Sequence, residues 1–200
     1  MEYISTRNTQ KTFSFKDVFL KGLAPDGGLF VPKKIPLYTS QELEKLRNLS
    51  YNALATKIIL KFCSDEFNEI EIKDLVKNSY KNFRVNDVVV IKKLGKVNLL
   101  ELFHGPTLAF KDIAMQVIGN MYEKILKKNN LKINVVVATS GDTGAAAINA
   151  IRDRKNMKIF VLHPDNKISE VQRKFMTTVN SDNVFNIALA SNFDECQKFV

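Results

Sequence analysis

The stretch that most constrains this chain is residues 133–138, INVVVA. It is apolar and largely β-branched, as expected of a parallel strand buried on both faces. A helical pattern over 143–152 follows it. The same order then recurs twice, with a strand over 159–162 and a helix over 168–178, then a strand over 184–189 and a helix from 193 onward. Strands alternating with helices in this way give a parallel sheet with right-handed crossovers. The pattern therefore reads as α/β.

The front of the chain reads differently. In residues 1–36, Ser14 caps a short helix, FKDVFLK, that Gly22 ends. Pro25, Asp26, Gly27 and Gly28 make a turn before a short strand over 29–31. Residues 37–84 read as helices. Thr39 with Glu42, and Asn68 with Glu71, have capping-box spacing, and Ser50 opens the helix between them. Leu54, Ile58 and Phe62 predict the apolar face of that helix. Ile72, Leu75, Val76, Tyr80 and Phe83 predict the face of the next. This part carries nothing catalytic and reads as a small packing domain. From Asp87 two strands follow, over 88–91 and 97–102, with a turn at Gly95.

Composition narrows the classes. No apolar run approaches the roughly 18 residues that a membrane helix needs, and the first ten residues lack the apolar core of a signal peptide. Two cysteines far apart, two histidines and no CxxC leave a metal site unsupported. A cytoplasmic protein that makes no membrane contact is the expectation. The net charge of +9 permits bulk attraction to nucleic acid. The lysines are spread along the chain, however, and arginine forks are few, so no nucleic-acid partner is expected.

Two stretches carry chemistry. In LELFHGPTLAFKD, a strand expected to be buried leads through His104, Gly105, Pro106 and Thr107 to Lys111, where a long amphipathic helix begins. A helix start disfavours a cation. The apolar neighbour Phe110 adds a desolvation penalty, so the position favours the neutral amine that attacks carbonyls. The second stretch is Ser140, Gly141, Asp142, Thr143 and Gly144, at the carboxyl end of the first parallel strand, where open α/β sheets bind ligands. Its small hydroxyls and glycines let backbone N–H groups face an anion. It is neither a P-loop nor a GxGxxG turn. Taken singly, Lys111 reads as a solvated lysine and the loop as architecture. Together, an amine that condenses with an aldehyde and a loop that grips a carboxylate are what an amino-acid enzyme using pyridoxal 5'-phosphate requires.

Five stretches extend the pattern: YISTR at 3–7, GLAPDGGLFVP at 22–32, ELFHGPTLAFKD at 101–112, ATSGDTG at 138–144 and HPDNKISEVQRKFMTT at 163–178. On these the chain resembles the threonine synthase family, in the form that carries an extra N-terminal domain. The resemblance implies the parallel-sheet pyridoxal-phosphate fold of the tryptophan synthase β type. Residues 1–84 would be the N-terminal domain and 85–200 the first part of the catalytic domain. It implies that Lys111 holds the cofactor covalently and then serves as base and acid. It implies that Ser140, Gly141, Asp142, Thr143 and Gly144 bind the substrate carboxylate, with Asp142 beside the cofactor ring hydroxyl, where relatives often have Asn. Arg7 is carried over as a candidate for the substrate phosphate. The family converts O-phospho-L-homoserine and water to L-threonine and phosphate. Asn8 stands where Gly is expected after STR, and Ala145 where Ser often follows GDTG. A Gly-rich phosphate cup is expected in the family, and no glycine follows Gly144 here, so the chain is expected to be the front part of such an enzyme. A phospho-lyase of the same fold, releasing a 2-oxo acid and ammonia, and a fragment without cofactor binding remain as alternatives.

Overall fold

The computed structural model describes every residue from Met1 to Val200. They pack as two compact units, Met1–Asn78 and Ser79–Val200. The division falls in the last turn of a helix, six residues ahead of the one expected from the helical pattern.

In the first unit β1 (Tyr3–Ser5) pairs antiparallel with β2 (Phe30–Pro32). Between them lies α1 (Phe15–Lys21). It starts where the Ser14 hydroxyl accepts the Asp17 N–H and the Asp17 carboxylate accepts the Ser14 N–H, and it stops at Gly22, where φ is 72°. The remaining helices are α2 (Ser40–Leu46), α3 (Tyr51–Cys63) and α4 (Glu69–Tyr80). Thr39 and Ser50 cap the first two as their spacing predicts, and Asn68 and Glu71 exchange the same reciprocal bonds at the start of α4. The core gathers Tyr3, Phe15, Cys63, Phe67, Ile72 and Val76. Burial pushes both the Tyr3 phenol and the Cys63 thiol up to about 12. Both groups therefore stay neutral and serve packing.

One expectation for this unit fails. The row Leu54, Ile58 and Phe62 is not the buried face of α3, since Ile58 is 38% exposed and the buried residues are Thr56 and Cys63. Leu54 and Ile58 instead line an open groove beside Leu43 and Leu46 of α2. The seven-residue α2 is too short to cover them.

The second unit opens with an antiparallel hairpin of β3 (Val90–Leu94) and β4 (Val97–Glu101), turned at Gly95. The hairpin forms a two-stranded sheet of its own. The strand ahead of the lysine is thus not buried: Leu99 and Leu100 are exposed, and only Glu101 is enclosed. α5 (Asp112–Asn129) follows and ends at Asn130 in the left-handed region. As an amphipathic helix it places Val117, Met121 and Ile125 in the core, while Ala114 stays exposed.

The three strand–helix units then appear in order: β5 (Ile133–Ala138), α6 (Asp142–Ile151), β6 (Met157–Pro164), α7 (Glu170–Thr177), β7 (Val184–Leu189) and α8 (Phe193–Lys198). The sheet is parallel in the order β5-β6-β7, with Val135 opposite Ile159 and Ile159 opposite Val184. Met157, Ile159 and Val161 of the central strand are buried. β5 is not covered on both faces as its composition suggested. It is an edge strand, and Val136 lies in a row with Phe160 and Phe185 on an open face, where the two rings stack with centroids 4.8 Å apart. The helices α5 and α6 close tightly, because Gly119 leaves room for the Ala150 carbonyl.

Candidate active site

The lysine loop is built from the inside out. Asp112, the first residue of α5, is fully buried. Its carboxylate accepts the Thr107 N–H at 2.7 Å and the Thr107 hydroxyl at 2.8 Å. A helix start favours an acid, and Thr107 supplies the donors that a buried carboxylate requires. Burial still dominates and pushes the Asp112 carboxyl above its usual range, with the Thr107 bonds acting against it. Gly105 has to be glycine here, since a Cβ would run into the Asp112 side chain. Leu108 takes φ of 63°, a conformation that costs a non-glycine residue energy, so the turn is held by its bonds.

On the approach to this turn, Glu101 is enclosed. It accepts from His104 Nε2 at 2.9 Å and pairs with Lys92 at 2.7 Å. The bond from Lys92 is the main reason its carboxyl lies below the usual range. The hairpin and the turn are thereby tied together.

Lys111 sits at the helix start as its spacing predicts, one residue before α5 and half-buried. Phe110 differs from expectation. It is 54% exposed and turns its ring face to the Lys111 Nζ, 4.9 Å from the centroid. That is an aromatic platform for a cation rather than an apolar wall.

The second loop is organised by Thr139, which is buried where β5 ends. Its hydroxyl accepts the Gly141 N–H at 3.0 Å and the Gly144 N–H at 2.9 Å. Gly141 has φ of 138°, which excludes a side chain, and starts α6. Ser140 and Asp142 are exposed, Thr143 is half-buried, and Gly141 and Gly144 are enclosed. Asp142 accepts a bond from Gln172 Nε2 of α7 at 2.8 Å, and Gln172 is itself bonded to the Ser169 hydroxyl. The sequence reading missed Gln172. Ser169 and Gln172 have helix-capping spacing, but nothing in that spacing points thirty residues back to Asp142.

Packing orients the two loops. Along α5 and α6 the contacts advance together: Gln116 donates to Asn149, Gly119 meets Ala150, and Asn120 and Glu123 bond to Arg154. The two helices therefore run in the same sense. Their amino-terminal ends, one carrying Lys111 and the other the 140–144 loop, open at the same end of the pair. Arg7 belongs to the other unit. Its Nη1 donates to the Asp26 carbonyl at 3.1 Å and its N–H to the Ser5 hydroxyl, while Ser5 and Gly28 both donate to the Asp26 carboxylate.

A lysine at one helix start and a hydroxyl-rich glycine loop at another, beside parallel strands, define an α/β protein, a class in which ligands bind at the carboxyl ends of the strands. Comparison makes this specific. Residues 2–80 match the family model described as the threonine synthase N terminus. The whole chain is 43% identical to a threonine synthase of Pseudomonas aeruginosa, over 43% of that protein. A PLP-bound threonine synthase from Brucella melitensis superposes with a TM-score of 0.91 at 39% identity, covering 99% of this chain and 43% of that one. The yeast threonine synthase gives a TM-score of 0.91 at 40% identity, covering 98% of this chain and 42% of that one. Over its whole length the chain is similar to threonine synthases, and it spans under half the length of these relatives.

Proposed function

We propose that this chain is the lysine-bearing part of a pyridoxal-phosphate enzyme that converts O-phospho-L-homoserine and water to L-threonine and phosphate in the cytoplasm. The carrying observation is that Lys111 and the 140–144 loop open at the same end of the α5–α6 pair. The residues present suit such a cofactor. Half-buried Lys111 follows the turn tied by the Thr107–Asp112 bonds, and the loop presents the exposed Ser140 and Asp142 side chains.

Lys111 would hold the cofactor, and Asp142 would sit beside its ring. When bound, the cofactor supplies an electron sink for charge developing on the substrate carbons. The Lys111 amine moves protons at the substrate Cα and Cβ. Ser140 and Thr143 hydroxyls hold the substrate carboxylate, while Gly141 and Gly144, whose N–H groups donate to Thr139, set the shape of the loop. The assignment of residues 1–84 as the family's N-terminal domain belongs to the same proposal.

Incubation with pyridoxal phosphate followed by borohydride should place one fixed mass on Lys111, and Lys111→Ala should lose it. Label spread evenly over the lysines, or retained in Lys111→Ala, would refute the assignment. In the enzyme carrying this sequence, threonine rather than 2-oxobutyrate as the product separates the synthase from a phospho-lyase.

A further inference from the structure

A cavity in the helical unit has no part in the chemistry above. It measures about 350 Å³ and lies between α3 and α4, at the small end of the range for ligand pockets. Lys57, Lys73 and Lys77 line it, against the single carboxylate of Glu69. Lys57 pairs with that carboxylate at 2.7 Å. Lys73 and Lys77 stand one turn apart on α4, on the same face and outside any ion pair. Like charges at this spacing repel, and with Glu69 paired to Lys57 and acting more weakly on Lys73 the lining keeps an excess of positive charge.

The wall opposite is polar. Buried Thr56 donates its hydroxyl to the Asn52 carbonyl at 2.7 Å. Asn52 also lines the cavity, and its Oδ1 is buried with no hydrogen-bond partner. A buried acceptor of this kind calls for a donor, and the broad torsion at the end of an Asn side chain lets the oxygen turn toward one.

We propose that this cavity binds a small organic dianion that carries a hydroxyl or amino donor. The two negative charges answer Lys73 and Lys77, and the donor answers Asn52. The site is separate from the lysine loop and does not rest on the reaction proposed above.

The test is a titration of the ¹⁵N-labelled chain with L-malate, at constant ionic strength, read by amide chemical shifts. Succinate, which lacks the hydroxyl, is the comparison. Saturable shifts with malate confined to residues 50–57 and 69–77 are expected, with succinate binding more weakly. The double variant Lys73→Gln, Lys77→Gln should weaken malate binding about tenfold or more, with an otherwise unchanged spectrum. Both lysines are exposed and outside any ion pair, so the variant keeps the fold's contacts. No saturable shift, equal shifts at Lys127 and Lys128, or undiminished binding in the variant would overturn the site. Equal affinity for malate and succinate would overturn the donor assignment to Asn52.

Discussion

Asp112 and Thr107 determine how the lysine loop is held. Replacing Thr107 with Val keeps the shape and the backbone N–H bond but removes the hydroxyl bond to a buried carboxylate. The expected cost is about 1–3 kcal/mol, read as a lower urea midpoint. The effect depends on pH with a defined sign. Asp112 is raised above 3.8 by burial, so the folded protein binds its proton more tightly than the unfolded chain does. Its contribution to stability is therefore greatest below 3.8 and falls as the pH rises through the folded value. Thr107→Val removes a bond that favours the charged form. The fall should then extend to higher pH than in the parent.

At the scale of elements, the α5–α6 contact carries the orientation of both loops. Gly119→Ala would place a methyl group against the Ala150 carbonyl. The expected loss is about 1–3 kcal/mol, measured by denaturant unfolding, with the two helix starts pushed apart. Elements of this kind were largely legible in the sequence. Ser14, Thr39 and Ser50 announce their helices because capping is local, and β7 runs over the residues that its apolar pattern predicts. Lys111 and the 140–144 loop were legible as well, because strand–loop–helix junctions carry their own signals. Coverage was not legible. Whether Val136, Leu100 or Ile58 is buried depends on which distant element lies over it, and β-branched composition alone does not say so. Gln172 escaped for the same reason, since its partner lies on another loop.

For the whole molecule, the open face of the parallel sheet bears on association. Val136, Phe185 and Ile187 are exposed on one side, and β5 and β7 are both edge strands. Unpaired edges beside apolar surface favour association. Sedimentation of the isolated chain should show self-association that grows with concentration. Ile187→Lys should suppress it, because a charge on that face resists burial; unchanged association in that variant would place the contact elsewhere. The bonds beneath the lysine have a different reach. Thr107 and Asp112 are only five residues apart, so closing that loop costs little chain entropy and needs no partner from the sheet. The turn that leads into Lys111 can thus close early in folding, while the parallel strands, whose pairing spans long stretches of chain, are still finding one another.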